Sequence, residues 1–156
     1  MEKIVYRNYE SKDFESCLTL IKDTFTKYCK ETFVDEMTML KFGDIMTPNN
    51  PRIVESFQKY PYQFIAELNG IIVGVLRGNN EKLLHLFVKE NFHGNGIASQ
   101  LMNIYESKLR ESGIKYIKLN ASQNAISYYQ KKGFKKTTGI RHKKGMKAQP
   151  MKKILI

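Results

Sequence analysis

Residues Asn91 to Glu106 read NFHGNGIASQLMNIYE, with Gly94, Gly96 and Ala98 at alternate positions directly ahead of an apolar helical pattern. Ser, Thr or Asp ordinarily caps a helix at such a place. Using glycine twice instead leaves the backbone open to close approach. The first turn of a helix carries unpaired N–H groups and a partial positive charge, so the approaching group would be an anion such as a phosphate. A turn that only needs glycine torsions has the same sequence, and the stretch alone does not separate the two. A Walker-type phosphate loop would end in Gly-Lys-Ser/Thr, and a dinucleotide fingerprint would need a third glycine where Ser99 stands. Neither fits.

The other chemistry-bearing residues are sparse. His85, His93 and His142 show no metal-ligand spacing with one another or with the two cysteines, and no metal is expected. Cys17 and Cys29 fall in one expected helix, about 18 Å apart along it, beyond disulfide reach. The net charge is +11, and Glu111 is the last acidic residue. The basic C-terminal third would attract a polyanion, either nucleic acid or a phosphate-rich cofactor, but it is equally well read as a solvated face. No apolar run approaches the roughly 20 residues that cross a bilayer, and MEKIVYRNYESKDF lacks the apolar middle of a secretory signal. A cytoplasmic location with no membrane partner is the resulting expectation.

The elements that must position these residues follow from periodicity. KIVYRNY alternates as a first strand, and Phe14, Cys17, Leu18, Ile21 and Phe25 recur at helical spacing behind Ser11. VDEMTMLKFGDIM and RIVESFQKY read as two further helices, separated by the prolines of TPNNP. After Pro61 come two β-rich runs around Asn69-Gly70, a strong hairpin signal, and a third strand in EKLLHLFVKE. The glycine-headed helix follows and stops at Gly113. IKYIKLN is a strand, ASQNAISYYQKK a helix, and FKKTTGI and AQPMKKILI a final strand pair joined by a basic loop. The order β-α-α-α-β-β-β-α-β-α-β-β, without linker or repeat, predicts one α/β domain over residues 1–156 with a mixed sheet.

Three stretches together resemble the GCN5-related N-acetyltransferases. His93-Gly94-Asn95-Gly96-Ile97-Ala98 follows the family's Gln/Arg-x-x-Gly-x-Gly/Ala signature, with His93 in place of the usual Gln or Arg. LLHLFVKENF looks like the family's fourth strand. NASQNAISYYQKKGF looks like its later helix ending in Tyr-x-x-x-Gly-Phe. The resemblance implies a mostly antiparallel sheet, flanked by helices, whose central strands splay apart to admit acetyl-coenzyme A. It implies that the main chain of Leu86, Phe87 and Val88 pairs with the pantetheine arm. The pyrophosphate would rest on His93, Gly94, Asn95, Gly96, Ile97, Ala98 and Ser99, with Asn120 bonding the pantetheine amides.

The same resemblance implies transfer of the acetyl group to a primary amine, on a small molecule or a peptide, with Tyr129 as the acid for the departing thiolate. Core packing is the alternative reading of Tyr129. An alkylamine is mostly protonated at neutral pH, so a proton must be removed. His85 is a candidate for that task, as are Glu31, Asp35, Glu36 and Glu67. Two other functions stay open, a basic nucleic-acid-binding protein and an acyl-coenzyme A-binding protein without turnover. The strand KKILI could pair across a homodimer, and a monomer is equally compatible.

Overall fold

The computed structural model describes residues 3–156. Strand β1 (Val5–Asn8) is followed by helix α1 (Phe14–Tyr28), α2 (Glu36–Ile45) and α3 (Pro51–Lys59). Strands β2 (Tyr62–Leu68), β3 (Ile71–Gly78) and β4 (Leu83–Val88) come next, then α4 (Ile97–Glu111), β5 (Tyr116–Ala121) and α5 (Ile126–Lys131). Strands β6 (Lys135–Lys136), β7 (Arg141–Lys143) and β8 (Met146–Ile154) close the chain. The expected order holds with one addition. The basic loop contains β7, turned onto β8 by Lys144 and Gly145, both at positive φ. The last helix is shorter than expected, because Ala121 completes β5 and a 3-10 turn over Gln123–Ala125 precedes α5.

Two antiparallel sheets result, in the orders β1-β2-β3-β4 and β5-β8-β6. The β2–β3 hairpin turns at Asn69-Gly70, with φ of 51° and 79°, as a tight two-residue turn requires. Strand β8 lies between β5 and β6, so Lys152 in the KKILI segment has a partner strand on both sides within the chain.

Alternation along the strands divides the apolar side chains between two cores. Phe64, Ala66 and Leu76 pack with Ile97, Leu101, Met102, Tyr105 and Leu109 of α4 on one face. Ile65 and Val75 pack with Cys17, Leu18, Ile21 of α1 and Phe57 of α3 on the other. Helix α4 comes very close to β3. A Cβ on Gly74 would lie 2.9 Å from Ile97 Cγ2 and 3.2 Å from Leu101 Cδ1, so the absent side chain sets how near the helix sits.

The start of α1 is held by charge. Arg7 on β1 grips the buried Asp13 carboxylate through two bonds of 2.8 and 2.9 Å, and also reaches Glu67 at 3.1 Å. Asp13 accepts the Glu10 N–H as well, at 2.8 Å. Arg7, followed by that backbone bond, holds the Asp13 carboxyl below its ordinary range against the opposing cost of burial. Replacement Asp13→Ala should lower the unfolding free energy by about 2–3 kcal/mol in urea titrations near neutral pH. The lowered value means the clamp contributes fully above the unfolded pKa of about 3.9 and is lost as pH falls through the folded value. The gap between wild type and variant should therefore close in acid.

Candidate active site

One bridge, just ahead of β4, ties the chain to β5. Lys82 and Lys118 form an isolated parallel bridge, and the Lys118 N–H donates to Glu81 O at 2.9 Å. Beyond it the strands part. β4 continues along β3, pairing Arg77 with His85, Leu76 with Leu86, Val75 with Phe87 and Gly74 with Val88. β5 continues along β8. A bulge at the start of β4, where the register skips Leu84 between Leu83 and His85, bends the strand as it leaves its neighbour.

The gap opens into a cleft of about 590 Å³. It is lined by His85, Leu86, Phe87 and Val88 from β4, by Asn120 at the end of β5, and by Tyr129 of α5. His93, Gly94, Gly96, Ile97, Ala98 and Ser99 line its other end. The expected site residues thus share one cavity, with the exception of Asn95. That side chain donates from Nδ2 to Phe92 O at 3.1 Å.

The glycine-headed turn is open to approach. Gly94 and Gly96 have φ of 83° and 76°, and a Cβ on either would meet nothing within 4 Å. Gly96 is the N-cap residue of α4, and no side chain caps that helix. Among the described residues, none of the main-chain N–H groups from Gly94 to Ser99 has a hydrogen-bond acceptor. The torsions alone would call for glycine here. The uncapped N–H groups stand at the positive end of a 15-residue helix, where an anion is favoured. His93 behaves differently. Its Nε2 donates to Val88 O at 2.6 Å, so its side chain fastens the turn to β4.

At the other end lies Tyr129, whose ring is buried against Tyr128 and Phe134. Burial, with smaller contributions from Tyr128 and Cys29, pushes its pKa up, so its hydroxyl keeps its proton at any ordinary pH. Among the described residues that hydroxyl has no hydrogen-bond partner, and only Thr32 Oγ1 is both buried and unpartnered. The Tyr129 hydroxyl is therefore accessible from the cleft.

His85 has its Nδ1 3.1 Å from Arg77 Nη1. A guanidinium has only donors, so Nδ1 accepts and the ring proton resides on Nε2. Burial, followed by the charge of Arg77, pushes the imidazole down to about 3. Of the carboxylates weighed as proton acceptors, Asp35 caps α2, accepting from Thr38 N and Oγ1 at 2.8 Å each, and Glu67 pairs with Arg7. Glu31 stands at the rim of the cleft, accepting at 3.3 Å from the N–H of Asn124, which lines it. Among the described residues no Asp or Glu lines the cleft itself.

Several lining residues carry no sequence signal. Phe25 and Cys29 of the first helical segment follow the apolar spacing of a core stripe, yet both reach the cleft. Asn124 ties the β5–α5 turn to the end of α1, donating from Nδ2 to Tyr28 O at 2.6 Å and accepting from Ser122 Oγ.

The family model for the acetyltransferase (GNAT) domain matches residues 24–155. The chain belongs to the GNAT family. Solved GNAT structures share its fold at low identity. A GCN5-related N-acetyltransferase from Rhodopseudomonas palustris superposes with a TM-score of 0.81 at 17% identity, covering 99% of this chain and 98% of that one. The PaiA N-acetyltransferase from Thermoplasma acidophilum, solved in complex with coenzyme A, gives 0.76 at 18%, covering 97% and 99%. Ard1 from Thermoplasma volcanium gives 0.75 at 21%, covering 98% of each chain.

In this GNAT chain the seating of α4 on β3 fixes the cradle's position. Gly74→Ala should therefore lower the unfolding free energy by about 1–3 kcal/mol, because Ile97 is β-branched and cannot swing away. Amide shifts of Ile97, Ala98 and Ser99 should move with it, and a variant with wild-type stability and shifts would contradict this packing.

Proposed function

We propose that this GNAT chain transfers an acetyl group from acetyl-coenzyme A to a primary amine on a small molecule or a peptide. The observation that carries the reading is one continuous cleft. It runs from the unpartnered N–H groups of Gly94 to Ser99, along the parted edge of β4, to the free hydroxyl of Tyr129. The residues present suit the cosubstrate. A diphosphate would take the N–H array, and the main chain of Leu86, Phe87 and Val88 would receive an extended arm as an added strand. Asn120 would bond the arm's amides from the β5 side.

Acetyl-coenzyme A supplies the activated acyl group when bound. The chain contributes orientation, a main-chain N–H near Phe87 or Val88 for developing oxygen charge, and a proton held on Tyr129 for the leaving sulfur. Burial keeps that proton in place until a charged partner arrives. With no carboxylate lining the cleft among the described residues, the amine would enter as the free base or lose its proton to water.

A second reading has one observation in its favour. Arg141, His142, Lys143 and Lys144 are all exposed, and none pairs with a carboxylate among the described residues. A nucleic-acid-binding surface of this kind would show steep salt dependence toward any oligonucleotide.

Thiol release with an amine panel tests the transfer reading. Wild type should release coenzyme A in an amine-dependent way, and Tyr129→Phe should lower kcat by about 10²–10⁴ while leaving cosubstrate affinity within a few-fold. Equal kcat in the variant would remove Tyr129 from the reaction. Loss of affinity together with kcat would return it to packing.

A further inference from the structure

Arg77 is buried to 2% exposure and, among the described residues, has no carboxylate partner. Its three hydrogen-bond partners are neutral: Gln63 Oε1 at 2.8 Å, Ser56 Oγ at 2.7 Å and His85 Nδ1 at 3.1 Å. The guanidinium lies flat on Phe57, 3.6 Å from the ring centre, with Tyr60 at 5.1 Å. An unneutralised buried cation is a costly feature, and burial lowers its pKa to about 10, still charged at neutral pH. Core packing would be met more cheaply by an apolar side chain.

What the cation does is set polarity. Gln63 donates from Nε2 to Phe57 O at 2.7 Å, which turns its Oε1 toward Arg77. Arg77 can only donate, so the bond to His85 ends on a bare Nδ1. The second ring nitrogen must then hold the proton. Among the described residues Nε2 has no partner, and it stays accessible where His85 lines the cleft. The other titratable groups facing the pair are Tyr9 after β1, Cys17 on α1 and Tyr60 after α3. Tyr9 and Cys17 are both pushed up to about 12, chiefly by burial, and stay uncharged. Nothing near His85 invites a second proton.

The placement of this donor is also specific. Strand alternation puts Leu86 and Val88 with the α4 core that holds Tyr129, and Phe87 with the α1 and α3 core. His85 contacts Phe87, 5.8 Å between ring centres, and takes its bond from Arg77, which rests on Phe57 of α3. Its N–H therefore serves a molecule that meets β4 from the side opposite Tyr129.

We propose that Arg77 is a positioning residue that locks His85 as a neutral imidazole protonated on Nε2, and that this N–H binds an oxygen of the amine acceptor. The acceptor class, which rests on the acetyl-transfer reading, is then an amine with a carbonyl or hydroxyl oxygen close by, as at a peptide N-terminus. A bare polyamine offers no oxygen to the donor and brings cations toward a buried cation.

The first arm needs no acceptor. With three histidines in the chain, ring ¹⁵N spectra of the labelled protein are assignable through His85→Gln. Wild-type His85 should show a bare Nδ1 and a protonated Nε2 unchanged between about pH 5 and 8. In Arg77→Met the ring loses the donor on Nδ1 and the tautomers should mix, while burial still holds the pKa below its ordinary value. Arg77→Lys, which keeps the charge, should hold His85 neutral even if the methionine variant fails to fold. A wild-type His85 that titrates in that range, or carries its proton on Nδ1, overturns the proposal.

The second arm compares alaninamide with isopropylamine at equal concentrations of free amine. Wild type should favour alaninamide by about tenfold or more in kcat/KM, since a site built to bond an oxygen rejects the analogue without one. His85→Leu should lose that preference, and His85→Gln, with a donor but no basicity, should recover most of it. Equal values in wild type, or a preference untouched in His85→Leu, overturn the acceptor class. Absence of thiol release with any amine overturns acetyl transfer and the acceptor class with it, while leaving the first arm's result on Arg77 intact.

Discussion

The structure depends on a failure of strand pairing. After Lys82 meets Lys118, β4 and β5 separate, and each keeps only its outer neighbour. An open edge inside a protein exposes main-chain donors and acceptors, which folded chains normally pair. Here the bulge at Leu84 bends β4 away, α4 covers one flank of the gap, and α1 covers the other. The edge that results is not paired by a neighbouring strand of its own chain. On the proposed reading, an extended ligand completes it.

The rest of the architecture sets the two ends of that opening. Gly74 lets α4 approach β3 closely, which directs the N-terminus of α4, with its empty N–H groups, at one end of the gap. At the other end, burial does two separate things to titratable groups. It keeps Tyr129 protonated, and with the charge of Arg77 it keeps His85 unprotonated. Both groups can donate a hydrogen bond into the cleft, and they do so from opposite sides of β4. Among the described residues the cleft is lined by hydrogen-bond donors and by no carboxylate, a lining that favours oxygen and phosphate groups.

Much of this was legible in the sequence. The helix-and-strand order, the Asn69-Gly70 turn, the placing of Leu86, Phe87, Val88, the glycine-headed turn, Asn120 and Tyr129 around one cleft, and the family itself follow from periodicity, glycine placement and three motifs in order. Local patterns record local geometry well. What escaped were features that arise only when distant segments meet. Asn95 has a motif position, but its side chain folds back on Phe92. Phe25 and Cys29 have core spacing and still face the cleft, because the gap cuts into that core. His85 could be weighed as a proton acceptor only until its neighbour across the ladder, Arg77, was known. The same holds for β7, whose pairing depends on β8 and on a turn with two positive-φ residues that lies inside a run of charges.

The central claim is that the parted β4 edge and the head of α4 form one binding surface, and amide-shift mapping of the full chain during titration with coenzyme A tests it most directly. The account predicts saturable shifts at Leu86, Phe87 and Val88 together with Gly94 through Ser99, all following one binding curve and persisting at moderate salt. Shifts confined to the basic stretch from Arg141 to Lys147, or fading as salt rises with the β4 edge unmoved, would contradict it.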